Sequence, residues 1–250
     1  YTAACLFLLN TFTGAQTIFF VSPNGKNTNP GTKAKPFASI DYARLQARKV
    51  SGSVVINLLG GTHYLKQPVV FTSADSRKQN EKLIITNYNN QKAIVSGAVS
   101  LKLKWRKYKN GIWQAKVEKP VFFDELFVNG KLQHMARYPN YDTAARFLGG
   151  TSADAIAKER VAHWQSPKNG YVHALHGSEW GDFHYIITGK DDQGELTLEG
   201  GWQNNRKMGM HKKYRFVENI FEELDTANEW YFNSETSILY YYPPAGLNLE

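Results

Sequence analysis

The chain has 250 residues, which is enough for one or two domains with sizeable hydrophobic cores. Its formal net charge of +8 allows attraction to an anionic partner, but no basic motif of a known nucleic-acid module appears, so we expect no nucleic acid partner. The single cysteine, Cys5, excludes an intrachain disulfide and a cysteine-rich metal centre.

The first 16 residues are predicted to be a truncated signal peptide. An apolar run from Ala3 to Phe12 precedes the small residues Thr13 to Ala15. The run is too short to span a bilayer and is typical of the apolar part of a signal peptide, although a buried core strand is an alternative. The sequence therefore predicts a secreted or periplasmic protein with no membrane span.

Residues 17–100 begin with an apolar strand and a loop rich in Asn, Gly, Pro and Thr, within Phe20 to Ile40. Ser39 to Val50 is predicted to be a helix, because its apolar residues recur on one face and Ser51-Gly52 ends it. A helix in this place could cap the apolar end of a stack of β coils.

Strand signals follow closely on this helix. Continuous apolar runs are typical of strands buried in a stacked parallel sheet. The predicted strands are Ser53 to Leu59, Pro68 to Phe71, Lys82 to Tyr88 and Lys92 to Gly97. Gly60-Gly61 separates the first two, and His63 is predicted to have a structural role. The pattern by itself predicts an all-β fold.

Residues 101–250 change to a hairpin pattern. Leu101 to Lys109 alternates apolar and basic residues, which predicts a strand with one wet face. Asn129-Gly130 is the strongest short signal for a type I′ turn, and the segments 191–194 and 233–236 separate further strand pairs. Thr151 to Trp164 is predicted to form one short helix. These features favour an inserted, antiparallel β-sandwich-like module.

Seven sequence blocks carry a resemblance to a known group of enzymes. In chain order they are FVSPNG, NPGTKAKPFASI, LFVNGK, ARYPN, FVENIFEELD, EWYF and LYYYPPAG. The chain resembles the N-terminal part of secreted bacterial right-handed parallel β-helix glycoside hydrolases, notably the family with α-L-fucosidase and xylanase activities. It resembles more loosely the β-xylosidase family that joins a β-helix to an inserted β-sandwich.

The resemblance implies an all-β fold that begins a right-handed parallel β-helix, with an N-terminal capping helix and an inserted antiparallel β-sandwich-like module. It also implies a turn at Gly60 to Leu65, in which His63 is a structural residue, and a polysaccharide or oligosaccharide partner. In such enzymes the catalytic carboxylates lie on later coils, so we expect them beyond residue 250 and expect this chain to be an inactive fragment. A β-helix polysaccharide lyase and a non-catalytic carbohydrate-binding or adhesin-like surface protein are the alternatives.

Glycoside hydrolysis needs two carboxyl groups, and the richest acidic segment lies between Glu218 and Asp225. Glu222 and Asp225 are one candidate pair. The alternative is a structural turn whose acidic residues contact the preceding basic segment, 212–215. The catalytic residues therefore remain unassigned.

A second polar segment offers histidines and aromatic residues. The H-x-x-H spacing of His173 and His176, with Glu179 and His184 nearby, could suit a metal ion, but no zinc-protease motif is present and we expect no metal and no cofactor. A polar and aromatic sugar-binding surface is one hypothesis, and packing of the tryptophans in the core or in a loop is the favoured alternative. The residues predicted for this surface are His176, Trp180, Trp202, Asn205 and Arg206.

Overall fold

The computed structural model describes residues 16–118, 123–202 and 209–249. The chain divides into two compact units, and the division falls between Ser100 and Leu101. Residues 1–15 of the predicted signal peptide, including Cys5, lie outside the described residues. None of the described helices combines the length and the apolar composition that crossing a membrane requires.

The first unit consists of short strands and one α-helix. Its elements in chain order are β1 (Thr17–Val21), α1 (Ile40–Ala47), β2 (Val54–Leu58), β3 (Gly61–Tyr64), a 3₁₀ helix (Ser73–Asp75), β4 (Leu83–Asn87) and β5 (Ala93–Ser96). All strand pairs among the described residues of this unit are parallel: β1 pairs with β2, β2 with β4, and β3 with β5. Phe19, Ile56 and Ile85 are in register across the three-stranded sheet.

The core of the first unit lies between the three-stranded sheet and α1. On β2 the residues Val54, Ile56 and Leu58 are buried and alternate with partly exposed ones, as a strand with one core face requires. They pack in one cluster with Ala43 and Ala47 of α1. Each buried aliphatic side chain of this kind stabilises the fold by about 1.5–3 kcal/mol.

The helix α1 begins where the sequence predicts. Ser39 has an extended backbone, and its side-chain hydroxyl accepts a hydrogen bond from the backbone N–H of Tyr42, which caps the first turn. The helix ends at Ala47, three residues earlier than expected. Ile40, Ala43 and Ala47 are buried, as the apolar periodicity indicates.

Two local predictions for the first unit are wrong. Pro68 to Phe71 forms no strand, and its Val70 and Phe71 are exposed. The segment that we expected to be a turn contains the strand β3, because its backbone pairs with β5. His63 is nevertheless structural: it is buried on β3, with its Nε2 atom 2.8 Å from the carbonyl oxygen of Leu59.

The second unit is built mainly from antiparallel strands. Its elements begin with β6 (Arg106–Lys107), β7 (Trp113–Lys116), β8 (Leu126–Val128), β9 (Lys131–Met135), β10 (Arg137–Tyr138) and α2 (Lys158–His163). They continue with β11 (Tyr171–His176), β12 (Asp182–Lys190), β13 (Leu196–Gly200), β14 (Met210–Glu218), a 3₁₀ helix (Phe221–Glu223), β15 (Glu229–Asn233) and β16 (Ile238–Tyr242).

These strands form two sheets. One has five strands in the order β10-β14-β11-β12-β13, and the other has six in the order β6-β7-β16-β15-β9-β8. Trp164, Val172 and Ile187 belong to the core cluster of the first sheet, and Trp230 and Leu239 to a cluster of the second. Because β15 pairs in parallel with β9, the six-stranded sheet is not a simple series of hairpins.

The predicted hairpins of the second unit are confirmed. Asn129 and Gly130 both have positive φ, 51° and 76°, and join β8 to β9, as a type I′ turn requires. The other two predicted turns join β12 to β13 and β15 to β16.

Two predictions for the second unit are only partly correct. In Leu101 to Lys109 the alternating burial is present up to Trp105, but only β6 is a strand. The predicted helix over Thr151 to Trp164 is reduced to α2. The residue that precedes α2, Ala157, makes no side-chain capping hydrogen bond. Trp164 leaves the helix with an extended backbone, and its buried indole N–H donates to Glu223.

Strands predominate over helices in both units, so the all-β prediction is confirmed. The pairing of the first unit is parallel throughout, whereas nearly all pairs of the second are antiparallel. Winding of the parallel strands into a β-helix remains a prediction.

Candidate functional site

Several chain segments meet at one end of the five-stranded sheet. The hairpin between β11 and β12 turns there, through residues 177–181. Gly200, the last residue of β13, stands opposite Tyr185, and Met210, the first residue of β14, stands opposite His176. The antiparallel pairing therefore brings Trp180 and Trp202, which are distant in sequence, to the same end of this sheet.

His176 and Trp180 form a stacked pair in the hairpin. Their ring planes are within 8° of parallel and their centroids are 5.8 Å apart. His176 is buried, and its Nδ1 accepts a hydrogen bond from the backbone N–H of Ser178, which fixes the ring orientation. The indole of Trp180 is 71% exposed. The hairpin thus presents one large flat ring to solvent beside a fixed imidazole.

Trp202 follows the end of β13 and is 82% exposed. The backbone reaches it through Gly200 and Gly201, which both have positive φ. A Cβ atom on Gly201 would lie 2.2 Å from the ring of Tyr185, so only glycine lets the chain pass this ring. The predicted residues Asn205 and Arg206 lie outside the described residues.

His211 is a residue of this end that the sequence analysis missed. Its ring stacks on Tyr214 at 4.4 Å, and its Nε2 is 3.9 Å from a carboxylate oxygen of Glu179 in the hairpin. The segment MHKKY offered only its histidine and tyrosine as a signal. Glu179 and His211 place polar groups at the same end of the sheet as the exposed indoles, and this combination is typical of ligand-binding surfaces.

The histidines of the polar segment are paired differently from the H-x-x-H hypothesis. His173 stands directly opposite His184 on the adjacent strand, and their Nδ1 atoms are 2.6 Å apart. The ring of His176 packs instead against the rings of Trp180 and Phe183. Across the described ranges, no three His, Cys, Asp or Glu side chains form a group that could hold a metal ion.

A row of charged and polar side chains crosses four strands of this sheet. The Nη1 atom of Arg137 is 4.0 Å from Oε1 of Glu218, whose Oε2 is 3.2 Å from Nε2 of His173. Beyond the histidine pair, Nε2 of His184 is 3.3 Å from Oδ2 of Asp182. Each imidazole therefore has a carboxylate on its outer side and the other imidazole on its inner side.

The acidic segment forms structural contacts, which agrees with the alternative to a catalytic pair. Glu222 accepts a hydrogen bond from the backbone N–H of Gln165 at 2.9 Å, and Asp225 accepts one from the side-chain amide of Asn140 at 3.0 Å. Glu223 accepts from the indole of Trp164. We expected basic residues of the segment 212–215 to contact these acids. Arg215 donates instead to the carbonyl oxygen of Ala153.

Glu229 is a buried carboxyl group that the sequence analysis did not single out. It is 1% exposed at the start of β15. Desolvation raises its pKa to about 8, and the opposing contacts from the backbone N–H groups of Thr226 and Asp225 are long, at 3.4 Å. Its Oε1 atom has no hydrogen-bond partner among the described residues. In the sequence, Glu229 is marked only by its place at the start of an apolar and aromatic strand.

Comparison with solved structures relates the chain to known proteins at the level of the fold. A solved structure described as a glycoside hydrolase superposes with a TM-score of 0.70 and 22% sequence identity, over 93% of this chain and 44% of that one. A second, described as the complex structure of XylC with xylose, has a TM-score of 0.34, 13% identity and coverage of 81% and 31%, which is too distant to support an argument.

Sequence comparison adds one curated relative. The uncharacterized protein YwoF of Bacillus subtilis (strain 168) is 29% identical over 84 residues, which are 34% of this chain and 16% of that protein. No family model matches the chain. The chain thus has a glycoside hydrolase-like fold and spans less than half the length of the solved glycoside hydrolase.

Proposed function

We propose that the chain forms the N-terminal part of an exported glycoside hydrolase that degrades polysaccharide. The observation that carries the proposal is the fold similarity to a glycoside hydrolase over 93% of this chain. The exposed tryptophans at the end of the five-stranded sheet support a carbohydrate partner, because flat apolar side chains beside a few polar groups such as Glu179 and His211 are typical of ligand-binding surfaces.

In this proposal the first unit is the beginning of a right-handed parallel β-helix. The parallel, in-register pairing of β1 with β2 and of β2 with β4 is the pairing that successive coils make. Ile84 on β4 and Ile94 and Val95 on β5 are apolar and exposed, at the edges of their sheets in the described chain. A further coil stacked on these strands would cover them.

The second unit is proposed to be the inserted module, and Trp180 and Trp202 its sugar-binding surface, with His176, Asn205 and Arg206. The catalytic carboxylates are proposed to lie beyond residue 250. The acids of the segment 218–225 support this division of roles, since several are engaged in structural hydrogen bonds. A general acid needs instead to face the scissile bond.

We expect the 250-residue chain alone to hydrolyse neither aryl-xylosides nor aryl-fucosides, and the full-length gene product to hydrolyse at least one glycoside. The reason is that both catalytic carboxyl groups are needed for the reaction. Release of the chromogenic alcohol measures both proteins under the same conditions. Turnover by the chain alone would contradict the placement of the catalytic residues beyond residue 250. A full-length protein that hydrolyses no glycoside but cleaves polysaccharide by elimination would be a lyase and would contradict the proposed hydrolysis.

Replacing Trp180 or Trp202 by alanine should weaken retention of the chain on an immobilised polysaccharide. Loss of one exposed stacking ring at a binding hot spot costs roughly 1–2 kcal/mol of binding free energy. Affinity electrophoresis in gels that contain xylan or a fucose-containing polysaccharide measures the effect.

The matched control is Phe127→Ala, because Phe127 is 50% exposed but lies on β8 of the other sheet. This variant should migrate like the unmodified protein. Equal retention of all the variants, with intact circular dichroism spectra, would assign the two tryptophans to packing.

A further inference from the structure

The histidine pair of the five-stranded sheet carries an inference that is independent of sugar binding. His173 on β11 and His184 on β12 are directly opposite each other, with their Nδ1 atoms 2.6 Å apart. Their outer nitrogens face carboxylates: Nε2 of His173 is 3.2 Å from Glu218, and Nε2 of His184 is 3.3 Å from Asp182.

The two carboxylates favour hydrogen on the outer ring nitrogens. Nε2 of His173 makes no well-aligned hydrogen bond, yet without a proton it would direct a lone pair at a carboxylate oxygen 3.2 Å away. The same holds for Nε2 of His184 and Asp182. With an N–H on each outer nitrogen facing its carboxylate, neutral imidazoles would present the lone pairs of both Nδ1 atoms to each other. Two lone pairs at this separation repel unless a cation lies between them.

We propose that His173 and His184 bind a divalent first-row transition-metal ion through their Nδ1 atoms. Imidazole nitrogen is a preferred ligand for zinc, copper and nickel. Histidines that bind metals usually donate their other N–H to a carboxylate, which sets the tautomer and raises the basicity of the ligand. Here Glu218 and Asp182 occupy these outer positions.

The geometry needs only a small adjustment to accept the ion. With metal–nitrogen bonds of about 2.0–2.1 Å and a tetrahedral angle, the two nitrogens would stand about 3.3 Å apart. The His184 side chain is 63% exposed and is free of the core, so a small rotation can open the gap. Since no third protein ligand joins the pair within the described ranges, water would complete the coordination.

The remaining side of the site is held in place by packing. The His173 ring stacks on Phe216 at 4.7 Å, with 22° between the planes. Glu218 lies between His173 and the buried guanidinium of Arg137. Ligands on adjacent strands with supported side chains are preorganised for binding.

Calorimetric titration of the untagged 250-residue chain with Cu²⁺ and with Zn²⁺ tests the proposal. We expect one equivalent of metal to bind, with copper bound more tightly than zinc. His184→Ala should weaken copper binding by roughly tenfold or more, and Asp182→Asn by about tenfold through the outer contact. His163→Ala is the matched control, because His163 is an exposed histidine on α2, and it should leave the affinity unchanged.

Electron paramagnetic resonance of the copper-loaded protein gives a second measurement, in which we expect hyperfine splitting from two imidazole nitrogens. His173→Ala should lose this signature, and its circular dichroism spectrum checks that the partly buried site still folds. Copper binding that is equal in the unmodified chain and in His184→Ala would overturn the proposal. Failure of the unmodified chain to bind either metal would also overturn it and would leave a shared proton between the two rings.

Discussion

Replacing Arg137 by lysine should lower the free energy of unfolding of the second unit by about 3 kcal/mol. Arg137 is only 3% exposed, and its guanidinium donates to three backbone carbonyl oxygens, those of Pro139, Leu148 and Gly150, at 2.9, 3.1 and 2.8 Å. It thereby fastens both ends of the segment 139–150 to β10. Lysine has a compact ammonium group and cannot reach the three carbonyls with one planar fork.

The stacking of this guanidinium adds to the loss. Its central carbon lies 4.1 Å from the ring centroid of Phe216. Burial lowers the pKa of Arg137, which indicates that the charge is held largely out of water. A lysine ammonium at this place would be both desolvated and poorly paired, so the substitution leaves unsatisfied groups on both sides.

Arg146→Lys is the matched control for this prediction. Arg146 lies in the same segment but is exposed, with its guanidinium over the ring of Phe147. Its replacement should change the free energy of unfolding by less than about 0.5 kcal/mol. Urea denaturation followed by tryptophan fluorescence measures both variants. A loss below about 1 kcal/mol for Arg137→Lys would show that the three carbonyls find other partners.

Glu229→Gln should remove a large part of the pH dependence of stability. Burial raises the pKa of Glu229 in the folded protein to about 8, whereas a glutamate in an unfolded chain has a pKa of about 4.3. The folded state therefore holds this proton more tightly. The stability that the group contributes is complete below about pH 4.3 and is lost as the pH rises through about 8.

The size of this effect is a few kcal/mol between pH 5 and pH 8. The glutamine variant has a similar shape and no charge to desolvate, so its advantage over the unmodified chain should grow steadily with pH. Free energies of unfolding from urea titrations at pH 5, 6.5 and 8 give the difference. Since other titrating groups are common to both proteins, the difference isolates Glu229.

Glu235→Gln is the control for this pH series. Glu235 is exposed, and its ion pair with Lys168, at 3.5 Å, lies on the surface. The pH profile of this variant should run parallel to that of the unmodified chain. If the pH profile of Glu229→Gln also ran parallel to that of the unmodified chain, the carboxyl group of Glu229 would be solvated in the folded state. Its pKa would then not be raised, which would contradict the prediction.

Local backbone preferences explain the elements that the sequence predicted correctly. The turn at Asn129-Gly130 follows from residues that accept positive φ, and the start of α1 follows from the capping hydroxyl of Ser39. Both depend on neighbours within four residues. Such signals survive any change in the rest of the chain.

The elements that were predicted wrongly depend on distant partners. Pro68 to Phe71 has strand-like composition but meets no partner strand, whereas the segment of Gly61–Tyr64 looks like a turn and becomes a strand by pairing with β5. Strand propensity describes how a side chain fits a pleated surface, and it does not supply the neighbouring strand.

The candidate site divides in the same way between local and distant effects. Composition and order of blocks were sufficient to select an all-β chain and to single out Trp180 and Trp202, because tryptophans beside glycines are visible in the letters themselves. Their exposure became known only from the structure. The partner of His173 was not visible: the spacing suggested His176, and the antiparallel register of β11 and β12 places His184 opposite it. Register is set by backbone pairing between segments, so only the tertiary structure could bring those two imidazoles together, just as it alone buried Glu229.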